Sequence, residues 1–254
     1  MLDESPNNKI AIIILAAGLG TRMNSDKAKV LHGICGKPMI LHVVDASKKA
    51  AGSNVIVVVG YQAEKVKKVV SREYEVKFAL QTEQLGTGHA VIQALPYLGE
   101  APTDVIVLCG DVPLISAETL KKVVRLHRQK NWDVTIIGVK LENPAGYGRL
   151  ILENNQGVSK IVEEKDATDL QKKIKIINTG IYCIKKDFLF EALPEIRSDN
   201  AQKEYYFTDI IEIANGKNKH AGVLIADCPE EVMGINTCQE LETAQQVMKK
   251  SLSG

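Results

Sequence analysis

Net charge is almost absent from this 254-residue sequence, in which 32 lysines and arginines stand against 31 aspartates and glutamates. A formal net charge of +1 creates no strong field, so neither nucleic acid nor an anionic membrane is expected as a partner. No apolar run approaches the roughly 18 residues that a membrane-spanning helix needs. Hydrophobic residues nevertheless make up 45% of the chain, which is enough for a substantial core. These features predict a neutral globular enzyme.

Paired cysteine and histidine motifs are also missing. The five cysteines are scattered and form no CxxC pair, and the five histidines form neither an HxH nor an HExxH pair. Zinc ligands and disulfide frameworks both need closely and regularly spaced side chains. An odd, dispersed set of cysteines in a chain of this length predicts reduced thiols and a cytoplasmic protein.

The most informative stretch is the apolar run 10–16 together with the loop that follows it. The run shows no alternation, which is typical of a strand buried on both faces in a parallel sheet. The small residues of segment 17–20 let the backbone approach a ligand closely, and successive N–H groups there form an anion site. Arg22 and Lys29 add a planar and a compact cation. We therefore expect a bound polyphosphate at the end of the first strand.

Two common phosphate-binding patterns fail in this loop. The Walker sequence GxxxxGK[ST] is absent, which argues against a P-loop NTPase. The dinucleotide pattern GxGxxG fails because Met23 stands at the third glycine, and the second predicted strand ends in Gly60 and Tyr61 without an acidic residue. The remaining pattern, segment 15–23 followed by Lys29, resembles the signature of the sugar-phosphate nucleotidylyltransferases. The alternative is an ordinary strand–turn whose glycines serve geometry alone.

Strands and helices alternate through the first half of the chain, which predicts an α/β fold: a Rossmann-like, open and mostly parallel sheet with helices on both faces. Near Ala145 the pattern becomes less regular, and a hairpin is predicted around Asn154-Asn155-Gln156-Gly157. We expect one domain in which a small substrate-binding lobe extends from the sheet. The predicted strands are 10–16, 55–59, 76–80, 105–109, 133–141, 147–153, 157–164, 176–184 and 223–227. The predicted helices are 38–51, 62–72, 86–98, 116–129, 207–214 and one that begins at a capping box formed by Thr237 and Glu240.

Polar residues follow two of the predicted strands at the edge where the glycine-rich loop lies. Gly110 and Asp111 end a buried strand, and a carboxylate there is well placed for Mg²⁺, although a turn-capping role is the alternative. After the third strand, the Gln81 amide can donate and accept, as reading a pyrimidine edge requires. Gly86 and Thr87 would let a base lie near the backbone, and Thr87 also fits a helix N-cap.

Seven segments in order, including the first loop, resemble the uridylyltransferase half of the bacterial N-acetylglucosamine-1-phosphate uridylyltransferases. The resemblance covers nearly the whole chain, from about Ile10 to Lys250, and the series is specific where each segment alone is not. The six segments after the loop are Gln81–Ala90, Gly110–Ile115, Gly146–Arg149, Ile161–Ala167, Asn178–Tyr182 and Asn200–Asp209.

The resemblance implies a role for each motif. Residues 1–144 would bind the nucleotide, and residues 145–254 would form the sugar-binding lobe and the C-terminal helix. The substrates would be UTP and N-acetylglucosamine-1-phosphate, the cofactor Mg²⁺, and the metal ligands Asp111 and Asn236. Arg22, Lys29 and Asp111 would be the catalytic residues. The nucleotide contacts would be Leu15, Ala16, Ala17, Gly18 and Lys29 for the phosphates, Gln81, Gly86 and Thr87 for uracil, and Cys109, Gly110 and Asp111 beneath the ribose and metal; Gly148, Glu163 and Asn178 would hold the amino sugar.

The sequence departs from the family pattern in two places. The proline usual before the loop lysine is replaced by Ala28, which removes some rigidity but no charge. The hexapeptide repeats of an acetyltransferase β-helix are also absent from the sequence. The expectation is therefore either a single-activity protein or a piece of a longer one, with no acetyltransferase activity assigned.

Three functions remain open on the sequence. The first is Mg²⁺-assisted in-line transfer of UMP from UTP to N-acetylglucosamine-1-phosphate, which needs no general base because the attacking phosphate is already anionic. The second is a related transferase for another base or sugar, such as thymidylyl transfer to glucose-1-phosphate. The third is a non-catalytic sensor of sugar nucleotides.

Overall fold

A nine-stranded sheet forms the centre of the computed structural model, which describes residues 9–23, 25–153 and 156–253. A small two-stranded hairpin, β2–β3, lies apart from this sheet. The strands are β1 (Ile10–Ala16), β2 (Gly33–Ile34), β3 (Lys37–Pro38), β4 (Val55–Val59), β5 (Lys77–Leu80), β6 (Asp104–Cys109), β7 (Val134–Lys140), β8 (Arg149–Glu153), β9 (Gly157–Val162), β10 (Ile176–Lys185) and β11 (Ala221–Ile225). The helices are α1 (Met39–Ala51), α2 (Ala63–Ser71), α3 (Thr87–Ala94), α4 (Ala117–Lys130), α5 (Lys186–Ala192), α6 (Ile210–Gly216), α7 (Pro229–Val232) and α8 (Cys238–Ser253).

The order of strands across the large sheet is β5-β4-β1-β6-β10-β7-β11-β9-β8. Strands β5, β4, β1 and β6 pair in parallel, and so do β7 and β11. Strand β10 is antiparallel to both of its main neighbours, β6 and β7. The prediction of an open, mostly parallel sheet is confirmed, since only β9 and β10 run against the other strands of this sheet. The sequence pattern did not reveal the interior position of antiparallel β10.

The core lies on both faces of this sheet because β1, β4 and β6 bury nearly all of their side chains. Along β1, Ile12 and Ile14 enter one apolar cluster, while Ile13 points to the opposite cluster. The alternation of side chains along a strand produces this division. Helices α1, α2 and α4 contribute to the first cluster, and α3, α5 and α6 contribute to the second. Helices on both faces were predicted, and the two clusters confirm it.

Two helix starts follow the capping chemistry read from the sequence. The Ser116 Oγ accepts a hydrogen bond from the Thr119 N–H at 3.1 Å, as an N-cap of α4 should. At α8, the Glu240 N–H donates to the Thr237 Oγ1 at 3.2 Å, and the Glu240 Oε2 accepts from the Thr237 N–H at 3.0 Å. The predicted capping box is therefore confirmed.

Several element boundaries differ from those predicted. Segment 207–214 divides into a 3₁₀ turn, Phe207–Asp209, and helix α6, and the last strand ends at Ile225 instead of Asp227. Helix α5 and the β2–β3 hairpin were not predicted, because short elements leave too few residues to show a period. The two strands of the predicted hairpin are present as β8 and β9, and Asn154 and Asn155 of its turn lie outside the described residues.

Among the residues placed by the structure, no helix is both long enough and apolar enough to cross a membrane.

A close contact behind β11 gives a test of the fold. A Cβ added to Gly222 would lie 2.4–2.5 Å from ring atoms of Trp132, a half-buried side chain. We expect Gly222→Ala to lower the free energy of unfolding by about 1–3 kcal/mol, because the ring must shift. Urea denaturation measures the change. Gly216→Ala, which meets open space at the end of α6, is the matched control. Equal stability of the two variants would contradict this packing.

Candidate active site

The loop after β1 brings its own backbone against a cation. Gly20 has a φ of +67°, and a Cβ there would lie 2.5 Å from the Cβ of Lys29. Glycine is therefore required both by the left-handed backbone and by the close approach of the lysine. On the other side, the Tyr61 N–H donates to the Ala17 carbonyl at 3.0 Å. The turn after β4 thus supports the glycine-rich loop from behind.

A cleft of about 440 Å³ opens at this edge of the sheet, above the ends of β1 and β6. Most of the residues predicted to bind the nucleotide line it: Leu15, Ala16, Ala17, Gly18, Lys29, Gln81, Gly86, Thr87, Cys109 and Asp111. Gly110 lies beneath the cleft, where its N–H donates to the Leu15 carbonyl at 2.8 Å. Gln84 and Glu204 also line the cleft, and the sequence analysis assigned them no role.

Four side chains that are distant in sequence meet beside this cleft. The Lys29 ammonium donates to the Asp111 Oδ2 and, at 3.0 Å, to the Asn236 Oδ1. The Arg22 Nη2 donates to the same Asn236 oxygen at 2.8 Å. We call Arg22, Lys29, Asp111 and Asn236 the polar cluster. It places two cations and two oxygen ligands within one hydrogen-bond network.

Asn236 is held in place from both sides. Its backbone N–H donates to the Glu240 Oε2 at 2.6 Å, and its Nδ2 donates to the Gly234 carbonyl at 3.2 Å. The Ile235 N–H also donates to the Asp111 carbonyl at 2.9 Å, so the segment before α8 is anchored to the end of β6. These bonds fix the direction of the Asn236 oxygen.

The residues of the polar cluster fit a divalent cation. Asp111 is only 8% exposed, and its Oδ1 is buried with no hydrogen-bond partner among the described residues. A buried carboxylate oxygen without a hydrogen-bond donor is suited to coordinate a cation. The Asp111 Oδ2 and the Asn236 Oδ1 already converge on one cation, the Lys29 ammonium. Two protein oxygens plus substrate phosphates are a usual donor set for Mg²⁺.

The three residues predicted to bind the sugar also lie together. The Asn178 N–H donates to the Gly148 carbonyl at 2.8 Å, and a Cβ on Gly148 would lie 3.4 Å from the Glu163 Oε2. Burial raises the pKa of the Glu163 carboxyl above its ordinary value, against the opposing effect of a hydrogen bond with Thr208. The Asn178 Nδ2 donates to the Tyr182 hydroxyl at 2.7 Å. This group therefore offers polar atoms that are held by neighbouring side chains.

Arg149 links the segments that carry Gly148 and Glu163. Its side chain is 1% exposed, donates to the Tyr147 carbonyl, and pairs with the Glu164 Oε2 at 2.7 Å. A second donation reaches the Lys172 carbonyl at 3.3 Å. The guanidinium therefore joins the strand that follows Gly148 to the loop that follows Glu163. The sequence showed Arg149 within a family segment but offered no physical signal for this role.

Cys109 ends β6 and faces β10, the strand that carries Asn178. A Cβ on Gly180 would lie 3.7 Å from the Cys109 Sγ, so the middle of β10 meets the end of β6 there. Burial raises the pKa of the Cys109 thiol to about 12. The thiol therefore stays protonated at neutral pH and serves as a small packing group, since a reactive cysteine needs its thiolate.

The start of α3 corrects one prediction. Gly86, not Thr87, is the N-cap of this helix, and the Thr87 Oγ1 instead accepts a hydrogen bond from the Phe207 N–H at 3.1 Å. The Gly88 N–H donates to the Tyr205 carbonyl at 2.8 Å. Thr87 therefore fastens segment 204–207 to the cleft, a contact between residues 120 positions apart that local sequence could not predict.

Asp209, at the start of α6, gives a pH-dependent prediction. Burial, with a smaller effect of Glu212, raises the pKa of its carboxyl from 3.8 to about 6. The folded chain then binds this proton more tightly than the unfolded chain, so its contribution to stability is lost as pH rises from about 4 to 6. We expect Asp209→Asn to increase the free energy of unfolding by about 1 kcal/mol at pH 7.5. This value allows for solvent screening of the partly exposed Asp209 side chain.

The measurement for Asp209 is urea denaturation of both proteins at pH 4 and at pH 7.5. The difference between them should vanish at the lower pH. Asp169→Asn, at an exposed position, is the control and should change stability at neither pH. A stabilisation that persists unchanged at pH 4 would contradict the argument.

Comparisons with known proteins agree with this geometry. Residues 11–228 match the family model described as nucleotidyl transferase. The chain belongs to the nucleotidyl transferase family, so the expected enzyme class is confirmed.

Curated relatives match nearly the whole of this chain. The bifunctional protein GlmU of Geotalea uraniireducens (strain Rf4) is 47% identical over 243 residues, which are 95% of this chain and 53% of that protein. The bifunctional protein GlmU of Bacillus subtilis (strain 168) is 42% identical over 241 residues, or 95% of this chain and 52% of that protein. The chain thus spans about half the length of these curated relatives.

A solved structure confirms the fold. The crystal structure of UDP-glucose pyrophosphorylase complexed with UDP-glucose superposes with a TM-score of 0.75 at 17% sequence identity. The match covers 96% of this chain and 99% of that chain. The α/β architecture predicted from the sequence is therefore that of a known sugar-nucleotide pyrophosphorylase.

Proposed function

We propose that this chain transfers UMP from UTP to N-acetylglucosamine-1-phosphate, giving UDP-N-acetylglucosamine and pyrophosphate. The observation that carries the proposal is the polar cluster, which joins two cations and two oxygen ligands beside a glycine-rich loop. Membership of the nucleotidyl transferase family supports the reaction type. The seven family segments support the choice of uridine and of the N-acetylated sugar.

The reaction would be an in-line displacement at phosphorus. A phosphate oxygen of the sugar phosphate attacks the α-phosphorus of UTP, and the bond to the bridging oxygen breaks as pyrophosphate leaves with its electron pair. The attacking oxygen is already anionic, so no side chain has to remove a proton. Arg22 and Lys29 would offset the charge that builds on the leaving pyrophosphate.

Asp111 and Asn236 would hold Mg²⁺. Such an ion would supply positive charge that neutralises the phosphates. The loop amides of residues 15–18 would hold the triphosphate, and Gln81, Gly86 and Thr87 would contact the base. Cys109 and Gly110 would lie beneath the ribose.

The sugar would lie beyond the polar cluster, toward β10. The backbone of Gly148 lies close to the Glu163 carboxyl, since an added Cβ would be 3.4 Å from its Oε2, and the Asn178 N–H donates to the Gly148 carbonyl. A carboxylate and an amide can together bind the hydroxyl and acetamido groups of an amino sugar. Alignment of the two substrates would then supply much of the rate enhancement.

The experiment that tests the proposal is a panel of substrates scored by pyrophosphate release. Four nucleoside triphosphates, UTP, dTTP, CTP and GTP, are each combined with N-acetylglucosamine-1-phosphate, glucosamine-1-phosphate or glucose-1-phosphate in the presence of Mg²⁺. We expect the highest kcat/KM for UTP with N-acetylglucosamine-1-phosphate. Preference for dTTP and glucose-1-phosphate would assign the related thymidylyl reaction instead.

A binding protein without turnover is the other alternative. A sensor of sugar nucleotides would need the cleft but not a pair of oxygen ligands for a metal. Tight binding of UDP-N-acetylglucosamine without pyrophosphate release from any pair in the panel would favour the sensor and overturn the proposed reaction.

A further inference from the structure

Gln62, in the turn after β4, has a backbone conformation that a glutamine rarely adopts. Its φ is +52° and its ψ is +36°, which places it in the left-handed region at the N-cap of α2. A side chain is unfavourable there because its Cβ crowds the neighbouring carbonyl oxygen. The Gln62 side chain also makes no capping hydrogen bond with α2. Such a conformation persists where surrounding contacts hold it, and here those contacts come from the side-chain amide.

The Gln62 amide bonds to the backbone that precedes Lys29. Its Oε1 accepts a hydrogen bond from the Ala28 N–H at 3.2 Å, and its Nε2 donates to the Asp26 carbonyl at 2.5 Å. A backbone N–H can only donate and a carbonyl can only accept, so these partners fix the orientation of the amide. The Tyr61 hydroxyl donates to the same Asp26 carbonyl at 3.1 Å. Three hydrogen bonds therefore hold the backbone at Asp26 and Ala28.

The same turn also bonds to the beginning of the glycine-rich loop. The Tyr61 N–H donates to the Ala17 carbonyl at 3.0 Å, so the turn contacts both ends of segment 17–28. The next residue is Lys29, whose ammonium belongs to the polar cluster. The direction of the Lys29 side chain therefore depends on where the turn holds the backbone before it.

We propose that Gln62 is a positioning residue of the phosphate site, whose amide holds the backbone before Lys29 so that the ammonium faces a bound polyphosphate. The inference rests on the proposed function for the role of Lys29, and it names the residue that orients this cation. Gln62 itself does not line the cleft, so it acts on a ligand only through Lys29 and the adjoining backbone.

The physical effect of the Gln62 amide is pre-organisation. A lysine ammonium is a compact charge on a flexible side chain, and ordering it together with its backbone when a ligand binds costs entropy. A backbone that is already held in place reduces that cost. Removal of the amide should therefore weaken the binding of phosphate groups and leave contacts with other parts of a nucleotide unchanged.

Gln62→Gly is the main test, because it removes the amide and also relieves the unfavourable backbone conformation. The variant should remain folded, and thermal unfolding checks this. Asn131→Gly is the matched control, because Asn131 also has a positive φ, +51°, at the end of α4 and does not line the cleft.

Gln62→Gly combined with Ala28→Pro tests whether the amide acts through the backbone of residue 28. Ala28 has a φ of −52°, which a proline ring can adopt. Proline has no N–H that needs the Gln62 oxygen, and its ring restricts the backbone covalently. The double variant should therefore replace the lost hydrogen bonds by a fixed φ at position 28.

The two probes are pyrophosphate with Mg²⁺, followed by calorimetry, and uridine, followed by NMR titration. We expect Gln62→Gly to raise the Kd for pyrophosphate about tenfold and to change the Kd for uridine by less than about twofold. The double variant should recover most of the pyrophosphate affinity, and Asn131→Gly should retain all of it. Unchanged pyrophosphate binding in Gln62→Gly, an equal loss for uridine, or no recovery in the double variant would overturn the proposal.

Pyrophosphate carries neither base nor sugar, so its binding separates this inference from the proposed reaction. If the wild-type chain binds pyrophosphate but releases none from any pair in the substrate panel, the proposed reaction fails. The comparison of Gln62→Gly with the wild-type chain then still decides the role of Gln62. A wild-type chain that does not bind pyrophosphate would overturn that role directly.

Discussion

Asp111→Ala is expected to lower kcat/KM by about 10³-fold while the protein remains folded. The substitution removes the oxygen that pairs with Lys29 and the buried oxygen that has no partner. It therefore removes one of the two predicted metal ligands and releases the lysine from its position. The pyrophosphate assay measures the loss, and thermal unfolding measures the stability of the variant.

The control for Asp111 is Asp227→Asn, which alters an exposed carboxylate that pairs with Lys122 and does not line the cleft. That variant should keep full activity. Calorimetric titration with Mg²⁺ in the presence of UTP adds an independent readout, because Asp111→Ala should abolish the metal-dependent heat. Near-normal turnover in Asp111→Ala would contradict the assignment of the polar cluster as the catalytic centre.

Gly86→Ala is expected to weaken UTP binding more than tenfold and to lower the free energy of unfolding by about 2 kcal/mol or more. The backbone of Gly86 has a φ of +108°, a value that residues with a side chain rarely adopt. A Cβ there would also lie 2.7–2.8 Å from backbone atoms of Tyr205, which cannot rotate away. The substituted residue 86 must move, and its carbonyl, which accepts a hydrogen bond from the Gln81 Nε2 at 3.1 Å, moves with it.

Gly36→Ala separates the two causes of this effect. Gly36 also has a positive φ, +81°, but a Cβ there meets nothing within 4 Å. It should therefore show the conformational cost alone, about 1 kcal/mol, with unchanged UTP affinity. Urea denaturation and calorimetry of both variants give the comparison. Equal UTP affinity in Gly86→Ala and the wild-type chain would disprove the proposed base site.

The parts of the fold that the sequence predicted are those set by hydrophobic pattern. Strands β1 and β4 were predicted with their observed bounds, because an unbroken β-branched run has few alternative structures in a chain rich in α/β alternation. Ser116 and the Thr237–Glu240 pair marked helix starts by local hydrogen bonding. Such signals act within a few residues and need no knowledge of the tertiary fold.

The candidate site was predictable only in part, because local sequence signals act only within a few residues. The glycine-rich loop and its two cations stand close together in sequence, and their chemistry was readable. Asn236 lies 214 residues after Arg22, and only the family resemblance pointed to its place beside the loop. No local sequence signal predicted that segment 204–207, with Glu204, lies at the cleft, since it reaches the cleft by tertiary packing alone. The interior position of antiparallel β10 was likewise invisible to periodicity.

The reversed direction of β10 determines how the two ends of the site are built. Tyr182 on β10 pairs with Val107 on β6, so the beginning of β10 reaches the same edge as the end of β6. The proposed nucleotide site is thus built by loops that leave parallel strands, whereas the proposed sugar site is built by a loop that enters an antiparallel strand. On this proposal, we expect insertions or substitutions between β9 and β10 to change the selectivity for the sugar phosphate and to leave the binding of the nucleotide unchanged.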